Sequence, residues 1–90
     1  MNEIRIRAGA HTHWKRKNGE GIVVDFATGN YFVLDEVGAF YWQCLVDHAH
    51  SVGELVDATL AEYEAERTEV TKNAQNFYDY VLRENIAEPV

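Results

Sequence analysis

The residues able to do chemistry are few, and their spacing argues against most of it. The four histidines form two His-x-His pairs, His11/His13 and His48/His50. On a strand the first pair would project from one face, as two metal ligands do, but no thiolate or imidazole near in sequence completes a tetrahedral set. The second pair falls where a helix is expected to end, and free carbonyls there favour a partly cationic imidazole. Cys44, the single cysteine, lies in an apolar helical stretch with no Lys, Arg or helix N-terminus nearby to lower its pKa, so a buried, inert thiol is expected. It can form neither an internal disulfide nor a structural zinc site, which points to a reducing compartment and hence the cytoplasm. Glu62, Glu64, Glu66 and Glu69 make a solvated acidic corner between two helices. Gly19-Glu-Gly21 opens no helix and lacks the Gly-Lys-Ser/Thr ending of a phosphate loop, and no hydrolase, zincin or dinucleotide signature occurs. The expectation is a non-enzyme without metal or cofactor.

The elements that must position any site follow from periodicity. A chain of 90 residues that is 47% hydrophobic, with two Trp, five Tyr and four Phe, holds one core and one domain, spanning 1–90. Ile4 and Ile6 alternate with Arg5 and Arg7, and a second strand around 11–15 runs into the Lys17-Asn-Gly-Glu-Gly21 turn. Gly21-Ile-Val-Val-Asp-Phe26 and Tyr31-Phe-Val-Leu34 are β-branched and aromatic. They are joined by Ala27-Thr-Gly-Asn30, where Gly29 can take a positive φ, and predict a hairpin.

From Asp35 the period changes from two to 3.6. Asp35 is suited to cap a first helix over 36–48. Ser51-Val-Gly-Glu54 fits the reciprocal capping box and opens a second helix. Its Val52, Leu55, Val56, Thr59, Leu60 and Tyr63 form one apolar stripe. A third helix is expected from a Thr68 N-cap to about Glu84. Its apolar residues spread over an arc of roughly 200°, wider than one core contact needs, so a second neighbour is implied.

Charge narrows the partners. Eight Lys and Arg stand against fifteen Asp and Glu, a formal net charge of −7. Residues 1–29 carry five basic and three acidic groups, and residues 30–90 three basic and twelve acidic, so the acidic excess lies wholly beyond residue 29. Such a surface repels phosphate, so no nucleic acid is expected. No run of some 18 apolar residues occurs, so no membrane span is expected, and the N-terminal stretch Met1 to Arg7 has no signal-peptide core.

A β meander followed by three helices predicts an α+β fold of winged helix-turn-helix type, with the helices packed on one face of a three-stranded antiparallel sheet. Tyr31 to Leu34 is then a free edge, apolar and without the Lys or Pro that discourages pairing. With the third helix alongside, it forms a groove suited to an extended peptide that binds by strand addition.

Gly29-Asn-Tyr-Phe-Val-Leu-Asp-Glu-Val-Gly38, followed by Phe40, Trp42 and Leu45, resembles the PqqD-like family, the RiPP recognition elements of peptide natural-product biosynthesis. The likeness continues through Ser51-Val-Gly-Glu-Leu55 and Tyr63 and covers about 20–88. Asp35 stands where the family commonly has Asn, and either caps a helix. The resemblance implies a non-catalytic domain that grips the leader segment of a ribosomally made precursor and presents it to a modifying enzyme or leader peptidase. A chain of this size is similar to the small leader-binding proteins of lasso-peptide pathways and to the carrier of the pyrroloquinoline quinone precursor. The implied peptide-binding residues are Tyr31, Phe32, Val33 and Leu34 on the edge strand, with Val70, Asn73, Ala74, Phe77, Tyr78 and Val81 on the third helix. Strand alternation requires one edge-strand set to serve the core instead. An adaptor of another pathway and a DNA-binding winged helix are the competing readings. The second is poorly equipped, because 68–84 carries only Lys72 and Arg83 as basic groups.

Overall fold

The computed structural model describes residues 3–90; Met1 and Asn2, the start of the segment read for a signal sequence, lie outside the described residues. The chain runs β1 (Ile6–Ala8), β2 (Thr12–Lys17), β3 (Glu20–Asp25), β4 (Tyr31–Leu34), α1 (Glu36–Asp47), α2 (Val52–Glu62), α3 (Arg67–Arg83) and β5 (Ala87–Pro89). Strands β2, β3 and β4 form an antiparallel sheet in that order. With the three helices after it, the fold is α+β and compatible with a winged helix-turn-helix.

Local chemistry explains the boundaries. Asn18 and Gly19 both take positive φ, 53° and 83°, the combination a two-residue hairpin between β2 and β3 requires. The longer β3–β4 connection uses Gly29 at φ 80° and is braced by Asp25, whose Oδ1 accepts from the Ala27 N–H at 2.8 Å. Asp35 Oδ1 accepts from the Gly38 N–H at 2.7 Å and starts α1. Ser51 and Glu54 form both bonds of the expected capping box, Glu54 N–H to Ser51 Oγ at 3.2 Å and Ser51 N–H to Glu54 Oε1 at 2.9 Å. Helix α3 starts earlier than the Thr68 cap predicts. Its N-cap is Glu66, whose carbonyl accepts from the Val70 N–H at 3.0 Å, without a side-chain cap bond; the first-turn residues Arg67, Thr68 and Glu69 are exposed, so water can serve their free N–H groups.

The end of α3 turns the chain back. Asn85 sits at φ 61°, its N–H reaches Leu82 O and the Ile86 N–H reaches Val81 O, both at 3.1 Å, a Schellman closure. Ile86 and Val81 are both wholly buried, which supplies the apolar contact of that motif. The closure aims β5 at β1, and the two pair antiparallel, Ile6 opposite Pro89 and Ala8 opposite Ala87. The alternation at Ile4–Arg7 therefore belongs to a separate two-stranded ribbon and not to the meander.

The core lies between the inner face of the sheet and the helices, with Trp42, Tyr41, Leu45, Leu55, Val56 and Val81 fully covered. The N-terminal segment is tied down by Arg5, which donates through Nε and an Nη to both carboxylate oxygens of Glu54 at 2.8 and 3.0 Å. No helix among the described residues is long and apolar enough to cross a membrane.

Candidate functional site

Strand β4 pairs with β3 on one side, Tyr31 opposite Val24 and Val33 opposite Ile22, and ends the sheet on the other. The Asp25 N–H bonds Asn30 O at 2.8 Å. Because hydrogen-bonded pairs alternate along an antiparallel ladder, Phe32 and Leu34 face their backbone groups to β3, and Tyr31 and Val33 turn theirs to the open edge. Their side chains follow a second alternation. Tyr31 and Val33 point away from the helices, 69% and 58% exposed, while Leu34 is buried in the core and Phe32 half-buried.

Phe32 reaches across to α3, where its ring meets Tyr80 edge-on with centroids 6.2 Å apart. Asn73, Phe77 and Tyr80 are spaced i, i+4, i+7 and lie on one face of α3. Tyr41 of α1 joins them: its hydroxyl donates to Asn73 Oδ1 at 3.1 Å, and its ring packs 5.1 Å from Phe77. Burial raises the Tyr41 pKa, so the hydroxyl stays a neutral donor. Beyond the Leu34 end of the edge, Val37, Tyr41, Tyr63, Val70 and Asn73 line a mainly apolar cavity of about 200 Å³, with Glu69 at its rim. That volume is below the ~300 Å³ at which small-molecule sites begin and suits a single side chain.

The structure thus brings the edge backbone of Tyr31 and Val33 and the Phe32 ring together with Asn73, Phe77 and, at the cavity, Val70, while the Tyr31 and Val33 side chains face the other side of the sheet and Leu34 is buried in the core. It does not bring Ala74, Val81 or Tyr78 to this surface. Ala74 and Val81 are wholly buried, and Tyr78 turns to the other flank of α3, where its hydroxyl donates to Ile4 O at 2.7 Å. Tyr80, Tyr41, Val37 and Tyr63 were not in the sequence-based set. The i, i+4, i+7 spacing from Asn73 was the available signal for Tyr80; the rest needed the helix packing.

The other chemically able groups do not converge. His11 precedes β2 and places Nε2 2.8 Å from Asn85 O, whereas His13 stacks on Phe26. His48 and His50 stack on each other with centroids 4.6 Å apart. Cys44 is half-buried, and burial, with Asp47 nearby, raises its thiol pKa, the opposite of what a nucleophile needs.

The sequence pattern of the family described as "Coenzyme PQQ synthesis protein D (PqqD)" matches residues 20–86, from β3 through the α3 closure. The chain belongs to the PqqD family. Among solved structures, TbiB1 in complex with the TbiA(beta) leader peptide is 27% identical to this PqqD-family chain, with a TM-score of 0.81 over 91% of this chain and 94% of that one. A lasso peptide synthetase B1 complexed with its leader peptide is 23% identical and shares the fold, with a TM-score of 0.77 over 93% of this chain and 98% of that one. No curated protein matches the chain.

Proposed function

We propose that this PqqD-family chain binds the leader segment of a ribosomally synthesised precursor peptide and presents it to a modifying enzyme or leader peptidase, in a pathway of the lasso-peptide kind. The leader adds as a strand to the open edge of β4, bonding the outward backbone groups of Tyr31 and Val33. Its inward side chains rest on Phe32 and Tyr80, and one of them enters the cavity beside Val37 and Val70. The observation that carries this reading is an uncharged, unpaired edge strand lying beside an aromatic helix face. Strand addition uses both, main-chain bonds for affinity and side-chain pockets for choice. The leader bound by the 27%-identical TbiB1 supports it.

The role in this reading is binding without catalysis, supported by a lone thiol whose pKa burial and Asp47 push up, away from a nucleophile's, and a free cysteine suits the reducing cytoplasm. Nucleic acid is disfavoured by the pairing of the α3 cations. Arg67 contacts Asp57 at 3.1 Å, and Arg83 lies near Glu84 and over the Tyr80 ring, leaving Lys72.

Isothermal titration with the synthetic leader half of a precursor encoded beside the gene tests the proposal. A sub-micromolar Kd, about −8 kcal/mol or tighter, is expected. Absence of heat with that leader, together with binding of duplex DNA that weakens with salt, would replace it with the nucleic-acid reading.

A further inference from the structure

The outward face of the sheet carries an apolar centre that lies outside the leader groove. In β3 the inward residues Gly21, Val23 and Asp25 are buried, while Ile22 and Val24 look outward and are only half-buried. Antiparallel sheets with one wet face ordinarily place polar residues there. Here Ile22 lies opposite Val33, and Val24 opposite Tyr31. Next to them Phe26, 70% exposed, stacks on the His13 ring at 6.3 Å. Among the described residues no element covers this apolar centre. A contiguous exposed patch of this kind marks an interaction surface.

Its rim is basic. Lys15 stands opposite Ile22, and Lys17 opposite Glu20, and neither lysine has an ion pair among the described residues. A second copy of the chain on this face would bring two sets of these lysines into one interface with only Glu20 to answer them, and like charges buried together are costly. Nucleic acid would answer the lysines and leave the apolar centre unmatched.

We propose that this outer face docks the enzyme that acts on the bound peptide, and that the enzyme meets it with an apolar patch edged by carboxylates. The inference rests on the leader-binding reading in one respect. A peptide added beside β4 would place alternate side chains on this same face next to Tyr31 and Val33, so the docking enzyme touches protein and peptide together and binds the loaded form more tightly.

The test uses the full chain and the purified leader peptidase or modifying enzyme encoded beside its gene, with binding followed by biolayer interferometry, with and without leader. Phe26→Asp and Lys15→Glu alter exposed side chains outside the leader groove. Each is expected to keep its melting temperature and leader affinity and to lose about tenfold or more in enzyme affinity. Enzyme affinity unchanged in both variants overturns the proposal. So does a wild-type dimer in sedimentation that Phe26→Asp dissociates, which would assign the face to a second copy, and so does duplex DNA that displaces the enzyme from it. Leader affinity is measured in the same samples: wild type that binds the enzyme but not the leader refutes the leader reading and leaves the docking face intact.

Discussion

The Phe32 ring on β4 stands at 84° to the Tyr80 ring on α3, centroids 6.2 Å apart, and this edge-to-face contact joins the open strand to the helix beside it. The strand supplies main-chain groups and the helix supplies a wall. Because Tyr80 is half-buried and Phe77 is 9% exposed, the two aromatics should respond differently to truncation.

Tyr80→Ala is expected to cost about 1–3 kcal/mol of leader affinity with little change in melting temperature. Phe77→Ala should instead remove core packing against Tyr41 and cost about 3–5 kcal/mol of stability. Titration calorimetry and urea unfolding of both variants separate the outcomes; a Phe77 variant of normal stability would place that ring in the groove rather than the core.

Val33→Pro removes an N–H that faces the open edge, whereas Val24→Pro removes one from the middle of the sheet, where β3 pairs on both sides. The first should abolish leader binding and retain the circular dichroism of the fold, because Pro is tolerated at edges and not in central strands. Equal unfolding by the two would contradict the edge assignment.

The Arg5–Glu54 pair predicts an acid dependence. Arg5 donating to both carboxylate oxygens, helped by the Ser51 amide, lowers the Glu54 pKa from 4.5 to about 2. A depressed carboxylate pKa contributes stability that is present above the unfolded value and lost as pH falls through the folded one, so this contribution should fade between about pH 5 and 2. Both side chains are well exposed, 61% and 40%, so the effect is small. Glu54→Gln should flatten that part of the stability–pH curve in denaturant titrations; a slope equal to that of the wild type would show that the pair carries none of it.

Much of this fold is legible in the sequence because its signals are local. The Gly29 hairpin, the Asp35 cap and the Ser51–Glu54 box each rest on residues within a few positions of one another, and each is found in the structure. The β1–β5 pairing is not legible: the alternation at Ile4–Arg7 marks a strand, but the three residues of β5 are too few to show a period, and the two strands meet because Asn85 adopts a left-handed turn. The start of α3 differs from the Thr68 reading because Thr68 has the chemistry of a cap, while the exposed first-turn amides after Glu66 can be served by water and need none. In the groove, the wide apolar arc of α3 correctly implied two neighbours. Which arc faced which could not be read, and Tyr78 and Tyr80 end on opposite flanks, one bonded to Ile4 O and the other against Phe32.

The central claim, leader binding by strand addition to β4, is tested most directly by amide-resolved NMR of the labelled protein titrated with the leader half of the precursor encoded beside its gene. The account predicts shifts along 30–34 and at Asn73, Phe77 and Tyr80, with the amides of Tyr31 and Val33 becoming protected from hydrogen exchange. Binding that leaves those two amides exchanging freely, with shifts confined to another face, would contradict it.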